Sequence, residues 1–461
     1  MLSSTEEKKG LALSHLLGFA LFSEVALNVF KFSLPLTPIN SIPIRLIAIW
    51  LLMDRTGRIG RLRFGIWDAL ITGFVLVSGL GMIYTATTAP AVPLSFEEYR
   101  KFVGLFLNPY LYYLVAREGL NRRGFRPDIT ILWLVAGFAW SALVGLMQTR
   151  DLFHARSWSL IYANGELNFL RQISDNANGV SDDNASMASG TAAWWNSMAL
   201  EMLVAFSLVF GSTFLRRPRW YEWVLGVLFM AAFIATQSRG GLAAFAICAI
   251  ATFVWFFIHR KFWMATIIGG TVAVGVIIWL LAVFALKLER FTTTIEGEKV
   301  KGSVYTQSFT SRLQQQKQLI DIGLRQPIFG TGPNFGYQNM QVWSPYTLSG
   351  SADTNYGFTF AQFGLVGLAF LVSIQFYLLA FIRASVAYRP FAFAAFFVGV
   401  AFTVHGLVEF LLYGRTFMVM NVLAAYAGSP YLVSEQGRAA FKRVVKAVGP
   451  APIPVATAAE A

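Results

Sequence analysis

The 461-residue chain has one cysteine and four histidines, and only 13% of its residues are charged. A lone Cys248 rules out a disulfide framework and a cysteine-based metal site. His15, His154, His259 and His405 are too scattered for a histidine metal centre, so neither a metal nor another cofactor is expected. There is no P-loop and no GxGxxG motif following a strand, which argues against cytosolic nucleotide chemistry. An outward-facing activity must then use a substrate that arrives already activated. Basic stripes with interleaved aromatics are missing too, so the net charge of +13 does not indicate a nucleic-acid partner. Solenoid-type repeats are absent as well. What the chain has in excess is apolar surface: 56% apolar residues, with 42 phenylalanines, far exceed what a soluble core of this size would use. These are the proportions of an integral membrane protein.

Apolar runs long enough to cross a bilayer lie at roughly 11–31, 36–53, 66–86, 99–116, 128–148, 192–213, 221–237, 241–258, 263–286, 357–382, 391–412 and 415–433. The expected fold is an all-α integral membrane protein of about twelve transmembrane helices. Lys8/Lys9 and the clusters around Arg55–Arg63, Arg117–Arg126, Arg216–Arg219, His259–Lys261, Arg383–Arg389 and Arg438–Lys446 fall on alternate connections. By the positive-inside rule both termini face the cytoplasm and the first helix is uncleaved. The organisation is then a five-helix region at 1–148, an outer loop at 149–191, a four-helix region at 192–286, a second, partly helical outer loop at 287–356, a three-helix region at 357–433 and a cytoplasmic tail at 434–461. The Pro/Ala-rich end of that tail reads as disordered.

Polar chemistry gathers on the outer side. Ser238-Arg239-Gly240-Gly241 turns the seventh span into the eighth, and two readings of Arg239 stand: snorkelling to lipid headgroups, or an anion site, since a guanidinium matches phosphate oxygens. Residues 310–324 read as an amphipathic helix with Leu313, Ile320 and Leu324 on its apolar face and Ser311/Gln314 as a capping box. Arg312 falls in its first turn, where a cation opposes the helix dipole unless an anion binds there, and Lys317 follows on the same helix. Asp353, just before the tenth span, either pairs with a basic neighbour or serves as a base for a sugar hydroxyl. Glu24, Arg45, Glu201 and the pair His405/Glu409 are charged or polar groups within spans. His405 and Glu409 share a helical face and either tie helices together or form a polar floor under an outer cavity.

The order of these motifs resembles the O-antigen ligase and O-antigen polymerase superfamily of bacterial envelope glycosyltransferases, which in turn resembles the protein O-oligosaccharyltransferases. The matching pieces are Ala188-Ser-Gly190-Thr191 with Asn196, Ser238-Arg239-Gly240, Arg312, Pro327 with Gly330-Thr-Gly332-Pro333, Asp353-Thr-Asn355-Tyr356, Gly364-Leu-Val-Gly367-Leu368 and His405-Gly-Leu-Val-Glu409. The resemblance implies a GT-C-like membrane fold and an inverting, metal-independent transfer of a glycan from undecaprenyl diphosphate to an acceptor hydroxyl. Arg239 and Arg312 would bind the leaving diphosphate, and Ser238, Asn355, Tyr356, His405, Glu409 and Lys317 would line the substrate. It further implies an inner-membrane enzyme with a periplasmic site, acting on acceptor glycan or lipid A-core, with a chain-length regulator as an additional partner. Asp353 stands where the ligases carry a histidine proposed as base, and this departure favours a polymerase of lipid-linked O-antigen or exopolysaccharide repeat units over a ligase. The competing class is a lipid-linked glycan transporter, whose site would lie near the midplane in paired broken helices.

Overall fold

A computed structural model describes residues 2–26, 33–34, 37–38, 41–54, 65–88, 102–122, 124–150, 152–155, 158, 188–192, 195–213, 219–259, 266, 269–270, 316–330, 355–385, 390–406 and 415–427. Helix α1 (Leu2–Ala26) leads through a small hairpin, Ser33–Leu34 against Thr37–Pro38, into α2 (Ile42–Met53). There follow α3 (Ile66–Thr88), a π-helical turn (Val103–Leu107) continuing into α4 (Asn108–Leu120), and α5 (Pro127–Thr149). The remaining helices are α6 (Trp195–Thr213), α7 (Trp220–Ala235), α8 (Arg239–Ile258), α9 (Asn355–Ser385), α10 (Pro390–His405) and α11 (Arg415–Ala427). The expected span at 263–286 lies outside the described residues, apart from isolated positions.

Four stretches are long and apolar enough to cross a membrane: Ile66–Ile83, Pro127–Thr149, Gly240–Ile258 and Tyr356–Phe381. Shorter apolar helices accompany them at Ile42–Met53, Ser197–Gly211, Trp220–Ala235 and Phe391–His405. Their outward faces carry large apolar side chains at helical spacing, such as Leu76, Leu80 and Ile83 on α3 and Trp223, Val224 and Val227 on α7. Such stripes are stable facing lipid, and the chain is a multi-pass membrane protein.

At the bundle centre lies α11, whose residues from Thr416 to Ala427 are all buried. Phe417 packs edge-on against Phe74 of α3, and Tyr426 against Phe391 of α10. One end of the bundle is laced by ion pairs: Asp54 accepts from Arg122 at 2.8 Å and from Lys9 at 2.9 Å, and Arg117 pairs with Asp68 at 2.9 Å. Hydrogen bonds from Arg122 and Lys9 hold the Asp54 carboxyl below its usual range. Since Glu24 meets Ser41 at the other end of the same helix pair, α1 and α2 are antiparallel. Extending these pairings brings the end of α1, the starts of α2, α4, α6, α8 and α11, and the ends of α5, α7 and α10 to the opposite, polar end.

The loop helix differs from expectation. Residues 316–325 are helical, but their buried side is Leu319, Ile322 and Gly323, whereas Ile320 and Leu324 are 41% and 61% exposed. The reason is the partner: Gly323 leaves room for the Phe360 ring of α9, which selects the face one step round from the one that side-chain size alone suggests. Leu313 and the expected Ser311/Gln314 capping box lie outside the described residues.

Candidate functional site

The chain reversal before Arg239 is not made by the two glycines. It occurs at Thr236–Gln237, where Gln237 takes a left-handed φ of 52°, and Ser238 then caps α8 by accepting from the Gly241 amide at 3.0 Å. Arg239 is thus the first residue of α8 rather than the end of the preceding helix. Gly241 has a packing role: a Cβ there would stand 3.0 Å from the Ala199 side chain of α6.

A second correction concerns α9. The expected straight span at 357–382 is bent at Gly364 (φ 62°, ψ −159°), although the apolar stretch runs unbroken from Tyr356 to Phe381. Breaking the helix there frees the amides that follow. Leu365 N donates to the Pro327 carbonyl at 2.7 Å and Val366 N to that of Ile328 at 3.2 Å. Gly330, at φ 69°, lies against the backbone of Gln362 and Phe363, so the Pro327–Gly330 turn and the Gly364 bend dock backbone to backbone. Only glycine tolerates Gly364's conformation, and a Cβ there would strike the Ile328 carbonyl. Gly364→Ala should cost about 3 kcal/mol or more through strain and clash together, read as a lowered thermal midpoint of the detergent-purified protein.

The bend folds the first part of α9 back along the second. The Tyr356 hydroxyl lies 3.1 Å from Gln375 Oε1 of the same helix and 3.2 Å from the Thr403 carbonyl of α10. Two residues beyond Thr403, His405 is buried at the end of α10. Helices α8 and α10 run antiparallel, with the Cys248 thiol 3.6 Å from the Phe397 carbonyl. Arg239 is nine residues from Cys248 and His405 eight from Phe397, roughly 12–14 Å along each axis. The start of α8, the end of α10 and the start of α9 therefore share one level at the polar end.

The same end holds buried charge. Arg415, first residue of α11, donates Nη1 to the Val25 carbonyl at 3.0 Å and to Thr191 Oγ1 at 3.1 Å, and Nη2 to the Thr191 carbonyl. Nη1 also lies 3.4 Å from Oε1 of Glu201, a residue only 4% exposed. The Ser189-Gly190-Thr191 turn that Arg415 grips is held from its other side by Gln148, whose Oε1 accepts from the amides of Ser189 (3.1 Å) and Gly190 (2.8 Å). Thr191 Oγ1 donates to the Val25 carbonyl at 2.6 Å. Nearby, Ser41 donates to Glu24 at 2.9 Å and Arg45 Nε to Asn108 Oδ1 at 3.2 Å. Glu24, Arg45 and Glu201 thus stand in networks of buried polar groups that tie helices together.

Of the expected site residues, Ser238, Tyr356 and His405 come to this end, as do the backbones of Arg239 and Asn355. Lys317 is exposed, on the side of its helix away from Leu319 and Ile322. Arg312, Asp353, Glu409 and the side chains of Arg239 and Asn355 lie outside the described residues. Among the described residues no group of three or more His, Cys, Asp or Glu is arranged to hold a metal. Arg415, Gln148 and Gln375 escaped the sequence reading. Arg415 stands at the start of a span, and its partners are 224 and 390 residues away, beyond any local spacing.

No curated protein matches the chain at a significant level. Residues 224–372 do match a family model described as O-antigen ligase, a segment that runs from α7 into the second part of α9. It contains Arg239, Arg312, the Pro327–Gly330 turn, Asp353 and the Gly364 bend, and over this segment, about a third of its length, the chain is similar to the O-antigen ligase family.

Proposed function

We propose that this protein is a glycan polymerase of the inner membrane, joining undecaprenyl diphosphate-linked oligosaccharide repeat units of O-antigen or exopolysaccharide on the periplasmic side. The observation that carries the reading is the start of α8. Arg239 stands in the first turn of a helix whose terminal amides and dipole favour an anion, at the level of Tyr356 and His405. A basic residue there is unfavourable alone and favourable once a diphosphate occupies the turn. Arg239, joined by Arg312 from the loop, meets the charge that develops on the departing diphosphate, and preorganised donors of this kind supply much of the stabilisation in a transfer reaction. Asp353 takes the proton of the acceptor hydroxyl while that oxygen bonds to the anomeric carbon and the bond to diphosphate breaks. Asn355, Tyr356, His405 and Glu409 line the sugar side. Membrane lipid surrounds the site, and a chain-length regulator is a fitting partner.

A second reading is the ligase, which transfers the finished glycan to lipid A-core; the description of the matched family supports it. Purified protein in liposomes, given undecaprenyl diphosphate-linked repeat units alone, decides between them. A ladder of products on a gel is the expected result. Product that forms only after lipid A-core is added makes the protein a ligase, and silence in both assays points to the transporter.

A further inference from the structure

The structure assigns a positioning role to Gln375, which nothing in the motif pattern singles out. Gln375 lies in the second part of α9, is 5% exposed, and reaches the Tyr356 hydroxyl in the first part. The hydroxyl sits between two acceptors, Gln375 Oε1 at 3.1 Å and the Thr403 carbonyl at 3.2 Å, yet has a single proton to give. Oxygen and nitrogen of a carboxamide are interchangeable by a flip, and Gln375 Nε2 has no hydrogen-bond partner among the described residues. Turned over, the amide donates to the Tyr356 oxygen and the Tyr356 proton goes to Thr403. That chain satisfies the hydroxyl fully and closes α9 onto itself and onto α10. The middle of the first part of α9 is held by the Phe360 ring against Gly323 and by buried Phe358, Ala361 and Phe363, which leaves its first residues to be fixed by a polar tie. The clamp fixes that end, eight residues from Gly364, from which the chain runs directly to Asn355 and Asp353. Gln375 acts through Tyr356 to set where those residues meet the acceptor, so it governs the chemical step and not donor capture.

This inference rests on the reading that residues 353–356 carry the chemistry, and its test separates the two. Gln375→Met, Tyr356→Phe, the double variant and Asp353→Asn are compared in the liposome assay, with thermal midpoints measured in parallel. Gln375→Met should lower kcat about tenfold and leave KM for the lipid-linked donor within about twofold, as expected for misplaced reacting groups. Tyr356→Phe should do the same, and the double variant should fall no further than either single one, since residues acting as one unit are not additive. Losses that multiply in the double variant, or a Gln375→Met protein that melts earlier but keeps its kcat, overturn the role. An active Asp353→Asn protein instead removes the underlying reading, whereas an inactive one beside a fully active Gln375→Met sinks the inference alone.

Discussion

Arg239→Ala is expected to abolish ladder formation in liposomes, with chain growth reduced roughly 100- to 1,000-fold, the range seen when one preorganised donor to a developing negative charge is removed. The folded protein should survive the change. The turn before α8 is made by Thr236–Gln237 and capped by Ser238, so the fold does not rely on the Arg239 side chain to reverse the chain. Arg239→Lys should recover little, because an ammonium cannot offer the two parallel donors that a diphosphate oxygen pair accepts. Growth rate from densitometry of the ladder, beside a thermal melt, checks both. If Arg239→Ala polymerises within threefold of the unaltered protein, the residue merely snorkels to headgroups and the diphosphate lies elsewhere.

Arg415→Met should have the largest effect on stability. Its guanidinium joins Val25 of α1, the Thr191 turn and Glu201 of α6 at the head of the central helix. Removing it leaves the buried Glu201 carboxylate without its cation and takes a donor from the Thr191 carbonyl, while the Val25 carbonyl keeps the Thr191 hydroxyl. Breaking one side of a buried ion pair costs about 3–5 kcal/mol, enough to consume much of a domain's margin. Glu201→Leu combined with Arg415→Met should be less damaged than Arg415→Met alone, because no unpaired charge remains. Recovery will be partial, since the Thr191 carbonyl still loses its donor and the Val25 carbonyl is left with the Thr191 hydroxyl alone. Thermal midpoints of the detergent-purified variants check the order. A double variant no more stable than Arg415→Met would show that the carbonyl contacts, not the charge, set the cost.

The membrane class and the places of most described helices were legible in the sequence because lipid imposes a length and a composition on every crossing segment. Geometry within those segments was not. An unbroken apolar stretch from Tyr356 to Phe381 carries no mark of the bend at Gly364, since a membrane-deep break depends on which distant carbonyls answer the freed amides, here those of Pro327 and Ile328. The motifs at Ser-Gly-Thr, Ser238, Gly330 and Gly364 were found as functional markers, and in the structure they are supports: a gripped turn, a helix cap and two docked glycines. Glu24 and Glu201 were noticed for their cost, while Arg415 went unnoticed because its partners are joined to it only by folding.

The enclosure of α11 also bears on how the protein is made. Every other described helix precedes it in the chain, yet α11 packs against α3, α4 and α10 and is tied by Arg415 to α1 and α6. Until residues 415–427 have been made, Glu201 of α6 lacks the guanidinium that answers it, and the faces of α3, α4 and α10 that α11 covers have nothing against them. A chain cut short before residue 415 would lack the described helix that is buried along its length, and with it the guanidinium that joins α1 to α6.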